Sequence, residues 1–199
     1  MRSIFFFLAV AFLVGACKNE RKQTVFYYPI DSLIEAQVFY LSESHASLSK
    51  KATIDGEHDE VVTPKDTTGW RHELNVFAQL NDINKPSNYR KYQVETGKRD
   101  ANSNLLVYSM ESNDSLPVDY LRIYYLSDLN NIRKIEARYH EENSLLGNAR
   151  LLSSSRLLTM NFENINNKIV LTSYSITGGQ KTLLGDTVQF SVNGMITLP

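Results

Sequence analysis

Apolar residues recur at helical spacing in two early segments of this chain. The later segment, residues 68–84, has apolar side chains at three- and four-residue steps: Trp70, Leu74, Phe77, Leu80 and Ile83. Pro86 ends this predicted helix. The earlier helix is predicted to begin at a capping box formed by Ser32 and Glu35. It continues for about three turns with an apolar stripe of Leu33, Ile34, Val38 and Leu41.

After Pro86 the period changes from 3.6 to two, which predicts strands. The extended segments are residues 89–95, 105–110, 118–126, 135–139, 158–162, 169–176 and 188–196. Before Pro86, the Asp55-Gly56 pair predicts a tight hairpin turn within residues 47–63, because both turn positions require positive φ. Gly178-Gly179 is predicted to form a tight turn or a bulge.

These elements predict an α+β fold in which helices come early and strands late. The economical arrangement packs two helices on one face of a curved, mostly antiparallel meander of about six to seven strands, with the hairpin as an additional unit in the N-terminal half. We expect residues 31–199 to form a single α+β domain, because the mature chain of about 180 residues, which includes this range, can bury one core.

Tyr120, Arg122 and Tyr124 alternate with Leu121, Ile123 and Tyr125 in one predicted strand. If the apolar set faces the helices, the other three line the opposite face. Tyrosine beside arginine forms a good recognition surface, since both offer large area and directed hydrogen bonds. Exposed strands also favour these residue types for reasons unrelated to binding, so Tyr120, Arg122 and Tyr124 are only weak candidates for a recognition surface.

Near the N-terminus, Arg2 precedes an uncharged run of residues 4–17 that ends at Cys17, the only cysteine. This run is too short for a typical membrane-spanning helix but fits a secretory leader. Together with the small Gly15 and Ala16, it resembles the lipobox of bacterial lipoproteins. The resemblance implies a signal peptide of residues 1–16 and a lipid-modified Cys17. The polar, mixed-charge residues 18–23 predict a tether, which together with the lipidated Cys17 takes up residues 17–30. The resemblance also implies a cell-envelope location, with the outer membrane favoured and the leaflet open.

Charge and motifs exclude several classes of function. Arg2 is the only charged residue of the leader, so the mature chain keeps all 22 acidic residues and loses one of the 21 basic residues. This slightly acidic balance does not suit a nucleic-acid binder. The acidic cluster around His58 matches no calcium loop. His72-Glu73 lacks the second histidine of a zinc protease, and no nucleophile elbow occurs. We therefore predict no cofactor, no metal site and no catalytic residues.

The leading hypothesis is a membrane-anchored envelope lipoprotein that acts as a non-enzymatic binding or accessory module with a protein or lipid partner. The alternative is a lipid or lipoprotein carrier, because the order of elements loosely resembles folds of the outer-membrane lipoprotein receptor kind. This alternative requires a hydrophobic cavity inside the curved sheet. A hydrolase with an unrecognised site is a further, less favoured hypothesis; it would need His58 or His140 to meet two carboxylates.

Overall fold

The computed structural model describes residues 26–146, 149–181 and 187–199. These residues form one antiparallel sheet with helices packed on one of its faces. The α-helices are α1, Ile30–Glu43, and α2, Thr67–Ala78, and 3₁₀ turns follow at Gln79–Asn84 and Pro86–Asn88. The strands are β1 Ser47–Ile54, β2 Glu57–Pro64, β3 Gln93–Arg99, β4 Leu106–Glu111, β5 Val118–Tyr125, β6 Ile132–Leu146, β7 Ala149–Ile165, β8 Lys168–Lys181 and β9 Thr187–Thr197.

The predicted architecture is wrong about the sheet. The sequence suggested an α+β fold with a mostly antiparallel meander of six to seven strands and an additional hairpin. The structure instead has nine strands in one all-antiparallel sheet, in the order β2-β1-β9-β8-β7-β6-β5-β4-β3. The difference arises because β1 pairs with β9, with Leu48 opposite Ile196, and so joins the N-terminal hairpin to the end of the meander.

The β1–β2 hairpin itself is present where the Asp55-Gly56 pair predicted it. Asp55 and Gly56 have φ angles of 47° and 92°, the left-handed conformation that a two-residue hairpin turn requires. By contrast, the turn or bulge predicted at Gly178-Gly179 is absent, because both residues continue strand β8. A Cβ at Gly178 would lie 2.2 Å from the carbonyl oxygen of Ser155, so close packing of adjacent strands explains this glycine.

Helix α1 begins two residues before the predicted capping box. Its N-cap is Pro29, no side chain caps it, and Glu35 instead forms an exposed ion pair with Arg71 of α2 at 2.9 Å. The buried Gln37 attaches α1 to the sheet: its Nε2 donates to the carbonyl of Ile169 at 3.0 Å, and its Oε1 accepts from the amide of Leu171 at 2.8 Å. Because Gln37 pairs with backbone groups of β8, its burial leaves no polar atom of its amide unsatisfied.

Helix α2 follows the predicted pattern closely. Asp66 caps it by accepting a hydrogen bond from the amide of Gly69 at 2.7 Å. The predicted apolar set, which continues into the 3₁₀ turn, is fully buried: Trp70, Leu74, Phe77, Leu80 and Ile83. These side chains pack against the inward-facing residues of the strands in one contiguous core.

A buried carboxylate fixes α2 on the sheet. Glu73 is 7% exposed and lies 2.8 Å from Lys50 Nζ and 3.2 Å from Lys65 Nζ. The hydroxyl of Tyr174 donates to the same carboxylate at 2.5 Å. Burial tends to raise the pKa of Glu73, but the hydrogen bonds from Lys50, Tyr174 and Lys65 outweigh it and lower the pKa below its usual value.

Candidate functional site

The face of the sheet opposite the helices presents a polar strip on β5 and β6. Leu121, Ile123 and Tyr125 are buried against the helices, and the residues that alternate with them lie on the outer face. Tyr120, Arg122 and Tyr124 therefore occupy the face that the sequence pattern predicted for them. On β6 the corresponding outer positions alternate with the buried Ile135 and Ala137. We call the following set the outer strip: Tyr120, Arg122, Tyr124, Lys134, Glu136 and Arg138.

Direct cross-strand pairing organises the outer strip. Tyr120 lies opposite Arg138, Arg122 opposite Glu136, and Tyr124 opposite Lys134. Two guanidinium groups approach the Tyr120 ring, with Arg122 at 4.7 Å and Arg138 at 5.4 Å from its centroid. Such cation–π contacts hold the long arginine side chains against the sheet and reduce the entropy that they lose on binding a partner.

Two carboxylates neutralise part of the positive charge. Arg122 donates to Glu111 at 2.8 Å, and Lys134 donates to Glu136 at 2.8 Å. The hydrogen bond to Glu111 raises the pKa of Arg122 above its already high usual value, so this guanidinium stays charged. Arg138 differs from these two cations, because it makes no ion pair with a carboxylate in the part of the chain that the structure describes. Its exposed guanidinium is the cation of the strip that is available to an external anion.

A hollow of about 390 Å³ lies at one end of the strip. Its lining includes His140 and Asp119, whose Nε2 and Oδ2 atoms are 2.7 Å apart. Asp119 lies at the register shift between Val118 and Tyr120. Ser115 also lines the hollow, but no hydrogen bond joins it to His140 among the described residues. Within the described residues, His140 thus contacts one carboxylate, and the other candidate, His58, hydrogen-bonds the hydroxyl of Thr53 at 2.9 Å. Neither contact supplies the two carboxylates that the hydrolase hypothesis requires.

Three residues of the outer strip were not predicted from the sequence: Lys134, Glu136 and Arg138. The signal was present, because Ile135, Ala137 and Tyr139 alternate as buried positions, and the residues between them must then face outward. The sequence does not indicate which of these outward-facing residues lies beside Tyr120. That depends on the register of β5 against β6, which shifts between Val118 and Tyr120 and again between Tyr124 and Tyr125.

Cys17, the predicted site of lipid attachment, lies outside the described residues, as do the predicted signal peptide and residues 17–25 of the predicted tether. Among the residues that are described, no helix has both the length and the apolar character needed to cross a bilayer. The lipid anchor therefore stays a prediction from the sequence.

The carrier hypothesis requires an open apolar cavity on the helix-covered face of the sheet. In the described part of the chain, large side chains fill the space under α2, and Trp70, Leu74 and Phe77 are all completely buried. From the sheet, Leu121, Ile123 and other buried residues join them in the same cluster. This filled core gives no support to a lipid-binding cavity beneath the helices.

Comparison with known proteins identifies no relative. No family model matches the chain, and neither the curated proteins nor the solved structures include a significant match. No residue role can therefore be transferred from another protein to this chain.

Proposed function

We propose that this chain is a membrane-anchored envelope lipoprotein that acts as a non-enzymatic binding module, with the outer strip as its recognition surface. The anchor is inferred from the leader that ends at Cys17. Two or three acyl chains on one residue would hold the domain at the membrane far more firmly than a single chain, whose binding is marginal and reversible. The domain would then present its sheet to partners near that membrane.

The observation that carries the binding proposal is the position of Arg138. It is exposed, it contacts the face of Tyr120, and it forms no ion pair within the described residues, whereas Arg122 and Lys134 each contact a carboxylate. Arginine and tyrosine are, with tryptophan, the residue types enriched among the few residues that dominate binding energy at protein interfaces. We expect the partner to place a carboxylate or another anionic group against Arg138.

The anchor and the binding surface need separate experiments. Labelled palmitate should be incorporated into the wild-type chain in a lipoprotein-producing bacterium and should be lost in Cys17→Ala, with the variant leaving the membrane fraction. Equal labelling of the wild type and Cys17→Ala would contradict the lipid anchor. So would detection of an unmodified Cys17 by mass spectrometry.

For the binding surface, the purified lipoprotein would be crosslinked in membranes and the captured species compared between variants. A genuine partner should be captured by the wild type and by Lys168→Gln, a control that removes an exposed cation elsewhere. Its capture should fall at least tenfold in Tyr120→Ala/Arg138→Gln. Equal capture by all three proteins, or no reproducible partner, would refute the assignment of the outer strip.

A further inference from the structure

The structure fixes the point at which the chain enters the domain. The amides of Phe26 and Tyr27 donate to Asn84 Oδ1 at 3.0 and 2.8 Å, and Asn84 Nδ2 donates to the carbonyl of Tyr28 at 3.0 Å. Asn84 is completely buried, so this attachment belongs to the core. The segment that leads to Cys17 therefore leaves the domain at a defined place, beside the 3₁₀ turn that follows α2.

Exposed aromatic, apolar and basic side chains surround this exit point. The Phe26 and Tyr89 rings lie 4.7 Å apart, and the Arg90 guanidinium lies 5.0 Å from the Tyr89 centroid. Tyr89 is 50% exposed and Val94, on edge strand β3, is 43% exposed. A groove of about 450 Å³ with mainly apolar lining includes both Phe26 and Val94. We call Phe26, Tyr89, Arg90, Lys91 and Val94 the edge patch.

The charge of the edge patch is positive and uncompensated. Arg90 and Lys91 are both exposed, and neither makes an ion pair with a carboxylate within residues 26–146, 149–181 and 187–199. The carboxylates next to the patch in sequence, Asp82 and Glu95, are paired with Lys85 and Lys98. An anionic surface would therefore be attracted to this region without breaking an existing ion pair.

We propose that the edge patch rests on the anionic headgroups of the membrane that carries the lipid anchor, an inference that depends on the proposed function. Residues 17–25 can span at most about 32 Å when fully extended, so an anchor at Cys17 keeps the patch close to the bilayer. Tyrosine rings with polar tips favour the level of the headgroups, and basic side chains are attracted to anionic lipids.

Contact with the membrane at the edge patch is shallow and leaves the outer strip accessible. Strand β3 is an edge strand whose residues are all exposed, and its unpaired backbone groups need water, so it stays outside the hydrocarbon. The outer strip lies on the face of the sheet that carries no helix, whereas the Phe26 segment is attached to the 3₁₀ turn that packs with the helices. A docked domain would thus keep Arg138 free for a partner.

The test uses the lipidated full chain in vesicles and a single introduced thiol. Because Cys17 is the only cysteine and the lipid consumes its sulfur, an environment-sensitive fluorophore can be attached at Val94→Cys, or at Thr177→Cys on the outer face as the control. In vesicles of phosphatidylcholine with phosphatidylglycerol, the label at position 94 should report a less polar environment than in phosphatidylcholine alone. The label at position 177 should report water in both.

Charge variants separate local docking from general attraction. Arg90→Gln/Lys91→Gln should lower the ratio of docked to undocked domain roughly 25-fold, about fivefold for each cation lost near an anionic surface. Lys168→Gln/Lys181→Gln removes the same net charge elsewhere and should have little effect. If mass spectrometry shows that Cys17 is lipidated but the label at position 94 is as hydrated as the label at position 177, the docking alone is overturned. An unmodified Cys17 would overturn the proposed function and the docking with it.

Discussion

Glu73 provides the sharpest test of how the helices are attached to the sheet. Replacing it by glutamine keeps the volume of the side chain but removes the charge that Lys50, Lys65 and Tyr174 share. A buried carboxylate with charged donors contributes more than a neutral hydrogen bond, although Lys50 is 39% exposed and its contribution is partly screened. We expect Glu73→Gln to lower the free energy of unfolding by about 2–3 kcal/mol.

Urea denaturation followed by tryptophan fluorescence measures this loss directly. Trp70 is the only tryptophan, is completely buried, and lies on the same helix as Glu73. In thermal denaturation the same loss corresponds to roughly 5–10 °C for a chain of this size. The control is Glu35→Gln, which removes an exposed ion pair with Arg71 and should leave the midpoint unchanged within error.

The stabilisation that Glu73 contributes should depend on pH. Because the folded state lowers the pKa of Glu73 below the usual 4.5, its stabilisation is fully present above about that pH and is lost as the pH falls through the folded-state pKa. The difference in stability between wild type and Glu73→Gln should therefore shrink in acid. The reasoning is wrong if Glu73→Gln and Glu35→Gln unfold at the same urea concentration at neutral pH, or if the difference from wild type is constant in acid.

Three further substitutions test other contacts. Asn84→Ala should cost about 2 kcal/mol and speed hydrogen exchange in the segment before α1, because the partly buried amides of Phe26 and Tyr27 lose their acceptor; unchanged exchange would contradict this. Gly194→Ala should cost about 1–3 kcal/mol, since its Cβ would lie 2.2 Å from the Tyr174 ring, and a double-mutant cycle with Tyr174→Ala should show a smaller cost. Asp66→Ala should cost about 1 kcal/mol by urea denaturation through loss of the α2 cap, whereas Asp66→Asn should largely retain it.

Local patterns predicted most of the elements but fewer of their ends. The apolar residues of α2 and the turn at Asp55-Gly56 lie where the sequence indicated. The capping box at Ser32 did not form, because the helix begins at Ile30 and Glu35 is used by Arg71. Strands β6, β7 and β8 are longer than their apolar alternation, since polar residues can continue a strand whose neighbours supply the hydrogen bonds.

The sequence by itself determined which segments are helical or extended and which side chains of α2 and β5 face the core, because these depend on the period of apolar residues within one element. Only the tertiary structure decided that β1 pairs with β9, that Glu73 lies between two lysines and a tyrosine, and that Arg138 contacts Tyr120. Each of these depends on strand order and register between segments far apart in the chain. Local periodicity carries no information on that pairing, whereas burial of the common core selects it.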